Sequence, residues 1–362
     1  MIAESTRSAY TKYIKQEPIM KPLVSILIPA YNAEAWISDT LRSAIAQTWE
    51  PKEIIVVDDG STDRTLAIAR QFESDQLRVV THKNQGASAT RNKALSLSRG
   101  DYVQYLDADD LMAPDKIAKQ VEALGQSSNK RTLLSGSWGN FMYRYYRTQF
   151  VPSALWCDLS PVEWLIRKMK LNLYMQTASW LVSRELVEAA GPWDTRLLGD
   201  DDGEYFCRVL LASDGVHFVP EAKVYYRTSG TSSLSYIGYS DRKKVAQLCS
   251  MELHIRYIRS LEDSQRVRDA CVTYLQNWLF YFYPDRSDLV KQIEEIAASL
   301  GGKLNPPPLS WKYSWIAVLF GREQAKRAQV VLPRIKWSLI RRWDKTLFQL
   351  EGRKFADSFL KS

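Results

Sequence analysis

The chain is expected to fold as an α/β protein, with a mostly parallel sheet flanked by helices on both faces and a helical C-terminal extension. Three observations predict this. Between about residues 23 and 124, apolar β-branched runs alternate with segments of helical periodicity. Those runs are continuously apolar, as strands buried on both faces of a parallel sheet are. From about Ser240 onward the apolar residues recur at helical spacing, with Leu248, Met251, Ile255 and Ile258 on one face.

The elements follow in order. "LVSILIPAY" (23–31) is a strand ending at Pro29, and "AEAWISDTLRSAIAQ" (33–47) places Trp36, Ile37, Leu41, Ala44 and Ile45 at helical spacing. "EIIVVDDGS" (53–61) repeats the theme, with a turn at Gly60 and Thr62 capping a helix that runs through Phe72. "LRVVTH" (77–82), the helix "ASATRNKALSLS" (87–98) and the strand "DYVQYLD" (101–107) continue it. Beyond Leu124 the stretches at 132–150 and 175–183 read as extended and rich in aromatics. "GVHFVP" and "KVYYRTSG" read as two later strands, with a helix over 202–213 before them. Helices are expected from Ser240, including one over Gln265 to Phe282. "NPPPLS" (305–310) cannot continue a helix and separates a basic tail. The expected division is a loose arm over 1–21, a domain over 22–235 split near 124, a helical extension over 236–304, and a linker with a tail over 305–362.

Composition narrows the function. The 362 residues carry a net charge of +8, yet from Lys303 onward 13 Lys/Arg face 4 Asp/Glu, so the preceding residues are close to neutral. Four separated cysteines without CxxC pairing and three scattered histidines argue against a zinc site and a disulfide framework, and suit a reducing cytosol. No run is long enough for a membrane span, and the first residues lack the apolar stretch of a signal peptide. The basic residues form no stripe suited to nucleic acid.

In open parallel sheets, ligands sit beyond the carboxyl ends of the strands. The residues there are Pro29, Tyr31 and Asn32, then Asp58 and Asp59, then Lys83 and Asn84, then Asp107 to Asp110. Each alone is explained as a turn or helix cap. Together, a carboxylate after the second strand and a cluster after the fourth exceed what turning the chain requires. Three carboxylates within four residues repel one another, so a positive group is expected nearby. Asp109 and Asp110 either start the next helix or join Asp107 around a divalent cation. Neither GxGxxG nor GxxxxGK[ST] occurs, so a bound diphosphate would need a metal rather than a glycine-rich cradle.

Four blocks, "VSILIPAYNAEAWISDTLRSAIAQT", "EIIVVDDGSTDRT", "NQGASATRNKAL" and "GDYVQYLDADDLMAPDKI", in this order and spacing, resemble the N-terminal half of a family 2 glycosyltransferase of the GT-A fold. The resemblance is close over Pro22 to Leu124 and looser over 178–208. It implies a Rossmann-like half that binds a nucleotide-sugar. Pro29 to Tyr31 would pack on the base and ribose, Asp58 would accept from the base ring, and Glu34 or Lys83 would line the same pocket. Asp107 and Asp109 match the DxD motif and would hold Mn²⁺ or Mg²⁺. Families of this type carry an acidic pair at the start of a helix ending in Arg. Asp201 and Asp202 with Arg208 occupy that pattern, so Asp202 is assigned the catalytic base, with Asp201 or Asp200 as alternatives within the acidic run. "GPWDT" departs from the family's usual turn.

The resemblance implies an inverting transferase acting on a saccharide or lipid-linked saccharide in surface polysaccharide synthesis. The alternatives are transfer to a polyprenyl phosphate, which needs no base, and a non-catalytic nucleotide-sugar-binding component. In the tail, Ile335, Leu339, Ile340, Trp343 and Leu347 fall on one helical arc opposite Arg334, Arg341, Arg342 and Lys345. Either the helix docks on the fold, or it lies in the plane of an anionic membrane. The second reading implies a cytoplasmic protein held peripherally at the inner face of the cell membrane.

Overall fold

In the computed structural model, which describes residues 21–125, 129–228, 240–283, 285–307 and 310–351, a five-stranded sheet forms the centre. It comprises β1 (Val24–Ala30), β2 (Lys52–Asp58), β3 (Leu77–Thr81), β4 (Tyr102–Tyr105) and β7 (Val182–Ser183), in the order β3-β2-β1-β4-β7. The first four pair in parallel and β7 closes the edge antiparallel to β4. Alternate residues explain why the strands read as unbroken apolar runs. Ile26, Ile28, Ile54 and Val56 pack on one face with Ile37 and Leu41 of α1 (Ile37–Ile45) and Ile117 of α4 (Lys116–Ala123). Leu27, Ile55 and Val57 belong to the core of the other face, with Ala94 of α3 (Ala87–Leu97).

A second sheet of three strands follows, β5 (Leu111–Met112), β6 (Thr132–Phe141) and β8 (Gly215–Arg227), in the order β5-β8-β6. Here the structure corrects the sequence reading, because "GVHFVP" and "KVYYR" are the two ends of one strand. The Pro220 region is absorbed where the β6–β8 register shifts between Gly136 and Ser137. Gly136 is needed there, since a Cβ would stand 2.2 Å from the Ala222 carbonyl oxygen. Three further corrections are local. The second helix, α2 (Thr65–Arg70), begins three residues after Thr62, whose amide instead donates to Asn32 Oδ1 (2.9 Å). Asp109 and Asp110 do not open α4, because β5 intervenes. Ile45, placed on the apolar arc of α1, is exposed.

Three helices, α5 (Pro161–Leu171), α6 (Arg184–Ala190) and α7 (Asp201–Ala212), contribute to the core that contains Leu27. The extension consists of α8 (Asp241–Leu261), α9 (Gln265–Phe282) and α10 (Ser287–Ser299), whose Met251, Ile258, Tyr274, Leu275 and Ile293 join the same core as Leu27 and Trp180. A short α11 (Ser314–Phe320) then turns through Gly321, at φ 86°, into the long α12 (Arg322–Leu350). The expected arm over 1–20, the proline linker at 308–309, the domain end at 229–239 and the last residues of the tail lie outside the described residues.

Candidate active site

At the carboxyl ends of β1 and β2 the two connecting loops are zipped together by hydrogen bonds. The Asn32 amide donates to Ser61 Oγ (3.0 Å), the Ala33 amide to Thr65 Oγ1 (2.7 Å) and the Glu34 amide to Asp63 Oδ2 (3.1 Å). Asn32 takes a left-handed backbone, φ 47°, which asparagine tolerates. Glu34 is spent on the outside, where its Oε2 accepts from the Arg64 amide and Nε, both at 3.2 Å. Lys83 is exposed and Tyr31 half exposed, while Pro29 is half-buried in β1.

Beneath this rim lies Asp58, almost fully buried. Its Oδ2 accepts from Thr81 Oγ1 (2.9 Å) and the Ser61 amide (3.3 Å), but its buried Oδ1 has no partner among the described residues. A buried carboxylate oxygen without a donor is costly, and it awaits one. Asp59 holds the next loop, accepting from the amides of Gln85 (2.8 Å) and Gly86 (2.9 Å).

After β4, the acidic cluster separates into three environments. Asp110 is fully buried, accepts from the Arg227 amide (2.7 Å) and from Gln176 Nε2, and burial with the charges of Asp109 and Asp107 pushes its pKa well up. Asp109 offers its carbonyl to Arg227 Nε (2.7 Å), and its side chain is half-buried. Asp107 remains about a third exposed and forms an ion pair with Arg91 (2.7 Å). Arg91 is therefore the positive group the cluster demanded.

The guanidinium of Arg91 does more than neutralise Asp107. Its Nη1 donates to Asp201 Oδ2 (2.7 Å), while Nη2 donates to Asp107 Oδ1 (2.7 Å). It lies over the Trp193 ring at 4.5 Å, and that ring stacks on Tyr205 at 4.1 Å between centroids. Asn92, the next residue, clamps the same turn, donating to the Trp193 carbonyl (2.9 Å) and accepting from its amide (2.8 Å). Burial pulls the guanidinium toward neutrality, but Asp107 and Asp201 more than offset this and hold its pKa above the ordinary value. The sequence reading assigned Arg91 no role. The signal available was an arginine within "GASATRNKAL", on the face of α3 that carries Ser88 and Ala94 inward.

The three aspartates of the 200–202 run also diverge. Asp200 stands before α7 with φ 54°, and its Oδ2 accepts from Ser250 Oγ (2.6 Å) and Gln247 Nε2 (3.3 Å) of α8. Asp201 is committed to Arg91 and Ser88 Oγ (3.0 Å). Asp202 Oδ2 accepts from Thr177 Oγ1 at 3.2 Å. Burial raises the Asp202 pKa to about 7, with the charges of Asp201 and Asp200 adding to it and Arg91 pulling it back. The segment that follows Thr177 is fixed by buried groups of β4 and α4. Gln104 Nε2 donates to the Ala178 carbonyl (2.9 Å), Gln120 Nε2 to the Ser179 carbonyl (2.9 Å) and Lys116 Nζ to the Trp180 carbonyl (3.2 Å). Arg208 does not reach the aspartates. It pairs with Glu204 (2.7 Å) and donates to the carbonyls of Ala190 and Pro192, tying α7 to the turn before Trp193.

Thus Asp107, Asp201 and Asp202 meet around one arginine. Asp58, Pro29 and Tyr31 gather at the ends of β1 and β2, and Glu34 is engaged elsewhere. Among the described residues no three carboxylates, histidines or cysteines converge as a ready-made metal cage.

Residues 25–170 match the family described as glycosyl transferase family 2. A Bacillus subtilis (strain 168) protein named for teichuronic acid biosynthesis, the glycosyltransferase TuaG, is 44% identical over 111 residues, covering 30% of this chain and 44% of that one. Chondroitin synthase of Escherichia coli is 43% identical over 98 residues, covering 26% of this chain and 14% of the relative. The chain spans less than half the length of these curated relatives. Among solved structures, S. aureus TarS 1-349 in complex with UDP-GlcNAc superposes with a TM-score of 0.63 at 16% identity, over 84% of this chain and 88% of that one. The mannosyltransferase PcManGT from Pyrobaculum calidifontis, in complex with GDP-Man and Mn²⁺, superposes with a TM-score of 0.52 at 18% identity, over 93% and 90%. The fold is GT-A, with a helical C-terminal region.

Proposed function

Because residues 25–170 carry a glycosyl transferase family 2 domain, we propose that the chain is an inverting glycosyltransferase acting in polysaccharide synthesis. It moves a sugar from a nucleoside-diphosphate donor to a hydroxyl of a saccharide or lipid-linked saccharide. The observation that carries this reading is the arrangement around Arg91. Asp107, which follows β4, and Asp201, the first of the acidic pair at the start of α7, share one guanidinium, and the second of that pair, Asp202, has its pKa raised to about 7.

The donor site is laid out by the sheet. Asp58 ends β2 and Asp107 follows β4, with β1 between them, so they stand about 10 Å apart, or two strand spacings. A nucleoside diphosphate spans such a gap. Asp58 Oδ1, buried and unpartnered, accepts from the base, and Pro29 and Tyr31 cover base and ribose. Asp107 and Asp109 offer hard carboxylate oxygens that suit Mn²⁺ or Mg²⁺ in the manner of sites completed by phosphate and water, and Mn²⁺ accompanies GDP-Man in the mannosyltransferase neighbour. When bound, such an ion stabilises the charge that develops on a departing diphosphate.

The protein's own part is proton transfer and orientation. Of the three aspartates, Asp200 is turned into α8 and Asp201 is held by Arg91 and Ser88, which leaves Asp202 as the base. It accepts the acceptor hydroxyl's proton as that oxygen bonds to the anomeric carbon and the carbon–phosphate oxygen bond breaks, its electron pair leaving with the diphosphate. A single displacement inverts the anomeric centre. A phosphate acceptor would be ionised already and would leave Asp202 without a task.

Two variants test the reading. Asp202→Asn is expected to lower transfer at least about a hundredfold with donor affinity retained. Asp109→Asn is expected to weaken nucleoside-diphosphate binding and erase its dependence on Mn²⁺. Calorimetry with UDP and GDP, and NMR of the product anomer, read both; retained configuration or unchanged binding would overturn the assignments.

A further inference from the structure

We propose that α11 and α12 form a docking surface for an anionic lipid bilayer. The long α12 is tied to the body near its C-terminal end. Asp344 accepts from the Tyr143 amide (3.0 Å) and Arg144 Nε (2.7 Å), and Phe348, one turn on, lies 6.4 Å from the Tyr143 ring. More than a quarter turn away, Leu339, Trp343 and Leu350 are each at least 60% exposed, and α11, which packs beside α12, exposes Trp315, Val318 and Phe320. Such an apolar stripe on a folded chain marks an interaction site.

The charge decides the occupant. Over 322–350, eight Lys/Arg stand against two Asp/Glu, while the chain before Lys303 is close to neutral. Two copies brought together along this helix would set these charges against one another, whereas an anionic lipid surface complements them. Tryptophan and arginine suit the headgroup boundary, and among the described residues no helix is long and apolar enough to cross a membrane, so the helix lies in the plane. The position matters too. Tyr143 packs on Trp36 at 5.4 Å, and Arg227 lies over the Trp36 ring at 4.3 Å while donating to the Asp109 carbonyl. The bilayer is thereby held beside the loop after β4. That a lipid-linked acceptor is presented there rests on the glycosyl-transfer reading; the binding itself does not.

Flotation of the full chain with vesicles of phosphatidylcholine alone, or with one third phosphatidylglycerol, tests it without any donor. Binding to the anionic vesicles at low salt, its loss at high salt, and no binding to neutral vesicles are expected. The pair Leu339→Glu and Trp343→Glu should reduce binding at least tenfold, and Lys336→Gln or Arg342→Gln about fivefold each. These side chains are exposed, so circular dichroism and donor hydrolysis should be unchanged. Wild-type chain that ignores anionic vesicles, or apolar variants that bind as well as wild type, would overturn the proposal. Light scattering that shows a dimer lost in the same variants, without vesicle binding, would reassign the surface to a second copy.

Discussion

Arg91 shows how one residue can be decisive and still be overlooked in a sequence. Its neighbours in the chain gave a helix, and nothing nearby marks it as the counter-ion for carboxylates 16 and 110 positions away. Removing it leaves Asp107 and Asp201 unpaired beside Asp202. Arg91→Ala is therefore expected to destabilise the fold by about 3 kcal/mol, the scale for breaking a buried ion pair, measured by denaturant unfolding. The Asp202 carboxyl was legible as a candidate because it sits in an acidic run, but its distinction from Asp200 and Asp201 was not, since it depends on which partners reach each one. Its pKa near 7 has two consequences of opposite sign. The base proposed here must be unprotonated to act, so kcat/KM is expected to rise with pH through about 7, and a pH–rate profile checks this. The folded state prefers the protonated acid, so the stability this group contributes is present near pH 4 and is lost as pH rises toward 7. Asp202→Asn should accordingly be inactive yet melt at a higher temperature at neutral pH.

At the scale of elements, periodicity recovered what periodicity controls. The four parallel strands and α3 were legible because their side chains alternate between two cores, or recur at helical spacing. Joints were not. The single strand β8 was read as two, because its register shift beside Gly136 is set by a partner strand some eighty residues earlier. α5 has a start signal in Ser160, whose Oγ accepts from the Glu163 amide, with Pro161 in the first turn, yet the sequence reading assigned no element to its residues. The first turn of α7 carries a sharper test. Alanine normally favours a helix interior over glycine by about 1 kcal/mol. At Gly203, however, a Cβ would stand 2.1 Å from Asp200 Oδ1, and that carboxylate is held by Ser250 and Gln247. Gly203→Ala is expected to lower the melting temperature and turnover together, and calorimetry beside a transfer assay would separate this from the propensity effect.

On the scale of the molecule, the extension is part of the site's support. α8 supplies the partners of Asp200 and also Tyr257, whose hydroxyl donates to Glu204 Oε1 (2.8 Å) in α7. The core that contains Leu27 and Val57 of the sheet also contains Met251, Tyr274 and Ile293. A chain ended before Ser240 is expected to expose that core and to lose cooperative unfolding, which a thermal melt would show as a broad or absent transition. The sequence made the helices visible here but not their contact with the acidic run, because the contact is between surfaces rather than within one.

The shared guanidinium also limits how such proteins can be recombined. The matched segment ends at residue 170, so Asp107 and Arg91 lie inside it and Asp201 and Asp202 beyond it. A chimera that replaces residues 25–170 with the corresponding part of another protein changes the residues proposed to hold the donor, but this chain's Asp201 still requires an arginine reaching across from the third helix, over the Trp193 ring of the second half. Such halves are therefore expected to be exchangeable where their charges and rings already match across that boundary.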